Sequence, residues 1–590
     1  VAPKVKRSKT AWLVLGVFGV LVGVVGTWTW REHALATSVK TTLPTRPDLA
    51  GKPTILRELL TQAENRAESS KTRLEGMAEL GRLYHANGFI AEAEACWQWL
   101  RSEQPREARW SYYLADSRRA KSDQAGMTAF LRETLDLAPD YASARLQLAN
   151  LQFKSGEPAE AQRNYRLRLE ALPQDPYARL GLARLALQAG RKDEAIAVLE
   201  LLLKDTPHFS TAHNLYAELL AAAGDDPGAR KHRWLGRETL RYREAEDPWL
   251  DELLAWCYDY ERLCVLGTIE LQTEQHDRAH AYFERAIGID AGRSDAHELL
   301  ASMYLKRGDA REARDRLERA LPRLTGKKAS GIFTSLSLAY RLLQQPDEAI
   351  RIARLGLEQA GRQPELLDAL GLSLADAGRH VEAIEAWQAA LAQDPGDAAM
   401  NYQLARTYLA LRRLDDALAA LDRSLTLQPS YLPTLLLRGE IELQANHLDL
   451  AERYLRPAFD SHPEEPQARR LLAEWHLRSG TAAESKNDST AAERHYRDGV
   501  TLDENHPELL VRLGLFYLGH NRPADAVAPL TSYHARQPES APGCLFLGQA
   551  YAATNQRDEA REILNKGIQL AERSGNTKTA QHCRRLLQRL

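Results

Sequence analysis

The chain is poor in the residues and patterns that carry chemistry. Only five of its 590 residues are cysteine: Cys96, Cys257, Cys264, Cys544 and Cys583. None stands in a C-x-x-C or C-x-x-C-H spacing, which excludes zinc knuckles, a thioredoxin-type pair and c-type haem attachment. Cys257 and Cys264 would lie two turns apart on one helix, roughly 10 Å, too far for a disulfide. All five read as small buried hydrophobes. The sequence has no G-x-x-x-x-G-K-[ST], no G-x-G-x-x-G after a strand, no H-E-x-x-H and no G-x-S-x-G. No stretch alternates apolar and polar residues as a strand would, so no α/β catalytic domain is expected. His276 and His280 fall at i, i+4 on one helix face, but no third ligand accompanies them and they read as surface histidines. No catalytic residue, cofactor or metal is expected, and the chain reads as a non-enzyme. An excess of basic charge is missing too, with 78 Lys+Arg against 80 Asp+Glu, a net charge of -2 and a pI near 6.8. A nucleic-acid binder needs a basic face to release counterions from phosphate, so that class is set aside.

What is present is a beat. Pro105, Pro139, Pro173 and Pro207 stand 34 residues apart, and so do Pro395, Pro429 and Pro463. Each follows an apolar, helix-like run. A solenoid suits a chain too long for one globular core, because each repeat packs only on its neighbours.

Small residues and aromatics keep the same beat. The repeat from Leu74 holds Gly81, Tyr84, Ala93, Trp97 and Pro105. The repeat from Ala142 holds Ala149, Ala161, Tyr165 and Pro173, and that from Pro364 holds Gly371, Ala383, Trp387, Ala390 and Pro395. Over residues 74–574 the chain resembles tetratricopeptide repeat (TPR) proteins. The resemblance implies two helices per repeat, A and B. Small residues at positions 8 and 20 let them approach, a large residue at 24 fills the hole between repeats, and Pro at 32 stops helix B. About fourteen repeats can be laid out, starting at Leu74, Ala108, Ala142, Pro176, Ser210, Tyr260, Ser294, Ser330, Pro364, Ala398, Leu432, Pro466, Pro507 and Ala541. The repeat from Ser210 departs from the pattern after Ala217. The repeat from Pro466 reaches its second small residue, Ala492, seven residues late. The polar stretch Glu484 to Thr490 is expected to be a lengthened turn there. The fold class expected is all-α: a right-handed TPR superhelix preceded by one membrane helix, of a bacterial, membrane-anchored type.

The domain plan divides the chain into seven segments. Residues 1–9 form a basic N-terminus. Residues 10–30 are uncharged and, at about 1.5 Å per residue, long enough to span a bilayer, with Trp12 near one end and Trp28 and Trp30 at the other. Residues 31–53 form a tether, 54–224 an N-terminal TPR block with a leading helix, and 225–259 an irregular break. Residues 260–574 form a C-terminal block and 575–590 a capping helix. The basic cluster Lys4, Lys6, Arg7 and Lys9 implies a single-pass inner-membrane protein with a cytoplasmic N-terminus and a periplasmic array. Gly19 and Gly23 form a G-x-x-x-G, a spacing that lets two membrane helices approach closely as a homodimer.

The break holds Trp234, Tyr242, Trp249, Trp256 and Tyr258. It reads as an irregular repeat whose aromatics fill a wider gap, with a docking patch as the alternative. In the TPR family helix A lines a groove, and positions 5 and 9 commonly face it. The resemblance carries this over to Arg82, Tyr112, Asp116, Asn150, Arg184, Asn214, Glu218, Ser302, Arg406, Glu440, Glu474 and Gln549 as partner-binding candidates. Leu338 and Leu372 are the apolar equivalents in mid-array. The family's two-lysine, two-asparagine carboxylate clamp is not evident. The partners implied are proteins or extended peptides, with no nucleic acid. The function expected is a scaffold for complex assembly at the outer face of the inner membrane. The alternative is an accessory subunit that recruits substrate or polymer to an envelope synthase, exporter or redox complex.

Overall fold

The computed structural model describes residues 43–238, 245–324 and 330–590. Among them there are 31 helices and no strand. Short A helices, such as Ala142–Lys154 with 13 residues, alternate with B helices such as Pro158–Ala171 with 14. At 1.5 Å per residue each is about 20 Å long.

The residue pattern explains why each pair closes. A Cβ on Gly81 would stand 2.6 Å from the Trp97 ring, one on Gly371 2.6 Å from Trp387, and one on Gly267 2.5 Å from Phe283. The position-24 residue is thus seated on position 8 of its own repeat. It also reaches the next repeat: a Cβ on Gly181 would meet Tyr165 at 2.3 Å. Helix B then ends two residues before the position-32 proline, as in Ile90–Glu103 before Pro105 and Leu414–Leu427 before Pro429, because the residue preceding proline is driven out of the helical region.

Between helices A and B every repeat passes through one residue with left-handed backbone. These are Gly88, Ser122, Gly156, Gly190, Gly224, Glu274, Gly308, Gln344, Gly378, Arg412, Asn446, Asn487, Asn521 and Asn555, with φ between 56° and 87°. Thirteen of the fourteen stand at position 15 of their repeats, the Ser210 repeat included, and Asn487 stands seven residues later. The seven extra residues therefore lengthen helix A, which runs Pro466–Ser485 over 20 residues, and leave the turn unchanged. The lengthened turn expected from Glu484 to Thr490 is not found. Seven residues make nearly two full turns, so the extended helix presents the same face. Gly480 takes over the position-8 task, its Cβ site 2.5 Å from Tyr496.

The described residues divide into two compact bodies. One holds the residues up to Asp225 together with Leu235–Ala369, the other Asp226–Trp234 with Leu370–Leu590. In the first, the leading helix Thr54–Glu68 buries Leu56, Leu60, Ala63 and Ala67 against helix Arg73–Ala86. Residues 43–53 lie along it, with Arg46 bonded to the Thr61 hydroxyl at 2.9 Å and paired with Glu64 at 3.4 Å. In the second, helix Thr577–Leu587 buries Ala580 and Cys583 and turns Arg584 and Arg585 to solvent. All five cysteines are buried and unpaired.

The expected single-pass inner-membrane location is corrected. Among the described residues no helix is long and apolar enough to cross a membrane. The longest, Pro466–Ser485, carries Arg469, Arg470, Glu474 and Arg478. Residues 10–30, and with them Gly19 and Gly23, lie outside the described residues.

Candidate functional site

The A helices of the first three repeats grip a segment of this same chain. After helix Asp226–Glu238 the chain re-enters at Ala245 and runs back across them, from the third repeat to the first. Asp247 opens a short helix, Pro248–Leu254, by accepting the Leu250 N–H at 3.3 Å, with Pro248 in the first turn. This is the normal way for Asp-Pro to start a helix.

The Asp247 carboxylate is held by neutral donors. Tyr112 donates to Oδ2, Tyr141 to Oδ1 at 2.6 Å, and the Gln147 amide to Oδ2 at 3.2 Å. Burial pushes the Asp247 carboxyl up; the Tyr112, Tyr141 and Leu250 bonds oppose this and nearby Asp116 adds to it. Burial, then Asp247, push Tyr112 well above the usual phenol range, so its hydroxyl keeps its proton and donates. The Glu246 carbonyl accepts from Ser143 at 3.0 Å.

Trp249 stacks on Tyr141, centroids 3.6 Å apart and planes at 12°, and meets Tyr112 edge-on at 5.5 Å. Its N–H donates to Tyr141 Oη at 3.2 Å and its carbonyl accepts from Tyr113 at 3.3 Å. Glu252 pairs with Arg82 at 3.2 Å and Arg109 at 3.7 Å. Leu253, 3% exposed, enters the core. Buried Asn87 then treats the segment as backbone: its Nδ2 donates to the Trp256 carbonyl at 2.9 Å and its Oδ1 accepts the Tyr258 N–H at 2.7 Å. Lys52 pairs with Asp259 at 2.7 Å, and Cys257, Tyr260 and Leu263 join Ala86 in one apolar cluster. The repeat from Tyr260 thus begins beside the first repeat.

Beneath the segment a polar relay stiffens the first two repeats. Trp97 Nε1 donates to His85 Nδ1 at 3.2 Å, which leaves the His85 Nε2–H to donate to Asp116 at 2.9 Å. Burial alone would raise the Asp116 carboxyl, but the His85 bond and the Arg119 charge outweigh it and hold it low.

Three sequence-predicted residues therefore meet around the segment: Arg82 and Tyr112 touch it, and Asp116 lies below. Asn150 accepts from Tyr165 at 2.7 Å and lines a cavity of ≈ 470 Å³ with Gln147 and Asp247. Arg184, Asn214 and Glu218 are exposed and Ser302 is half-buried, and nothing brings these four together. In the second body Glu440 and Glu474 share a cavity of ≈ 340 Å³ with Arg470, Arg478 and His506, where Glu474 pairs with Arg478 at 2.7 Å. Arg406 is exposed over the Tyr402 ring at 5.9 Å, and Gln549 is exposed on its own. The sequence reading did not single out Asp247, Tyr141, Gln147, Glu252 or Asn87 as contacts. Its aromatic cluster at 225–259 was the signal for the first of these, and Asn87 had none.

Models of the tetratricopeptide repeat match the chain at residues 79–142, 142–163, 164–219, 270–328, 374–431, 436–486 and 517–574, together more than half its length. No curated protein matches it. Among solved structures, YrrB, a TPR protein with an unusual peptide-binding site, is 25% identical over 30% of this chain and 90% of its own, with a TM-score of 0.25. The Cut9-Hcn1 hetero-tetramer of APC/C is 15% identical over 83% of this chain and 98% of that one, with a TM-score of 0.30. PilF of Pseudomonas aeruginosa is 19% identical over 36% and 94%, with a TM-score of 0.30. These scores are too low to align the arrays as wholes. The repeat models, the all-helical architecture and the left-handed residue between each pair of helices make the chain a member of the tetratricopeptide repeat family.

Proposed function

We propose that this chain is a non-enzymatic scaffold for protein–protein interaction, taking protein or peptide segments on its A-helix face. The observation that carries this is the capture of residues 245–259. One A-helix face here already holds a chain segment through an aromatic stack, ion pairs and hydrogen bonds to both side chain and backbone. Such a combination of apolar anchors and oriented polar contacts is what peptide recognition requires. The exposed candidates Arg184, Glu218 and Arg406 offer the same kind of face to a partner in trans. Cross-linking and capture of partners by the full chain, compared with Arg184→Ala/Glu218→Ala/Arg406→Ala, tests the reading. A partner held by the parent and lost from the variant is expected. A partner set unchanged in the variant sinks this use of the face.

A further inference from the structure

We propose that the A-helix face of the first three repeats is a binding site for acidic Asp-Pro-aromatic peptide segments, and that residues 245–259 occupy it as a displaceable internal ligand. This deepens the scaffold reading and rests on it, naming one site and the chemistry of its partner.

The contacts select that chemistry. Tyr112, Tyr141 and Gln147 converge on one carboxylate, which defines an acidic position. The faces of Tyr141 and Tyr112 define an aromatic position two residues later. Arg82 and Arg109 define a second acidic position, three residues beyond the aromatic one. Within the segment Asn87 bonds to backbone alone, the Trp256 carbonyl and the Tyr258 N–H, so it reads any sequence there.

The same contacts are those of a ligand that can leave. Among the described residues the half-buried Asp247 carboxylate has no ion-pair partner, and its neutral donors offset the cost of its burial only in part. The helix Pro248–Leu254 has seven residues, far too few to persist by itself. Glu252 keeps 40% of its side chain exposed, so its ion pairs sit at a wet rim. The helices beneath are locked independently, by the relay from Trp97 through His85 to Asp116 and by the Trp97–Trp110 stack at 5.5 Å. The receptor face therefore outlasts the departure of the segment.

The test uses the full chain and a fluorescein-labelled peptide with the sequence of residues 244–259. Asp247→Ala/Trp249→Ala disables the internal segment. The peptide should bind this variant and bind the parent roughly 10- to 100-fold more weakly, because only the fraction with an open site is competent. Adding Tyr112→Phe to the variant should weaken peptide binding. A folded variant, judged by its helical circular dichroism, that does not bind the peptide, or binds it no better than the parent, overturns the proposal. Should the variant fail to fold, amide hydrogen exchange on the parent decides. Excess peptide should speed exchange at Trp249 and Tyr258, and unchanged protection overturns the proposal. Failure here leaves the capture of partners through Arg184, Glu218 and Arg406 as a separate result.

Discussion

Removing the seven-residue insertion tests the view that it is two turns of helix. Residues 480–486 can be deleted so that Ser479 runs directly into Asn487. Seven residues turn the helix by about 700°, within about 20° of two full turns, so the chain re-enters helix Ser489–Leu502 on the same face. Ala473 then replaces Gly480 opposite Tyr496, the pairing of types that Ala149 and Tyr165 occupy in an ordinary repeat. The loss is the Tyr496–Glu484 hydrogen bond of 2.7 Å and the weaker one to Thr481, about 1 kcal/mol each. Deleting only residues 482–486 turns the helix by about 500°, leaving the re-entry face about 140° out of line. Ala492, Tyr496 and Gly499, all buried against neighbours, would then face wrongly, and losing the burial of Tyr496 alone costs about 3 kcal/mol or more. The seven-residue deletion should therefore lower stability by about 2 kcal/mol, and the shorter one should strip helix Ser489–Leu502 of protection altogether. Thermal melts by circular dichroism and hydrogen exchange across residues 489–502 separate the two. Equal protection in both deletions, or equal collapse, would refute the heptad reasoning.

Other substitutions probe single features of the repeat. Arg412 holds a left-handed conformation with φ of 57°, so Arg412→Gly should raise stability by about 1 kcal/mol in urea titration; a loss would show that its side chain matters more than its backbone. Gly371→Val would drive a side chain into Trp387, which is 1% exposed, and should lower the melting midpoint through an overpacking cost of about 1–3 kcal/mol. His476 and His495 face each other at 3.3 Å, and burial, then His495, Arg456 and Arg494, hold His476 down at about 3. A histidine depressed in the folded state takes up its proton on unfolding. Its share of stability is therefore complete above the unfolded value of about 6.5 and is lost as pH falls towards 3, by up to about 1.4 kcal/mol per pH unit. His476→Phe should flatten that acid limb, and an unchanged slope between pH 6 and 4 would exclude the pair as its source.

The beat was readable because a repeat packs chiefly on its neighbours in sequence, so one position does one task many times over. Gly81, Gly371 and Gly267 could all be assigned to position 8 and Trp97, Trp387 and Phe283 to position 24 for that reason, and the structure adds that each aromatic sits on the glycine of its own repeat. The turn at position 15 was less legible, because Glu274, Gln344 and Arg412 do not favour a positive φ. Two packed helices impose that conformation on whatever residue stands between them. The polar run after Glu484 misled in the opposite direction: polarity suggested a turn, whereas seven residues is a helical number. The groove candidates show a different limit. Family position told which side chains point off helix A, but what they meet depends on contacts between distant parts of the chain. Tyr112 bonds to Asp247 across 135 residues, and Asn87 to Tyr258 across 171. Such pairs leave no period in the sequence. Only the failure of the period at 225–259, and the aromatics gathered there, marked the place. Three of those aromatics, Trp249, Trp256 and Tyr258, pack against the first repeats, Trp249 against both Tyr141 and Tyr112. The residues that look least like a repeat are therefore the ones that fill the face the repeats create.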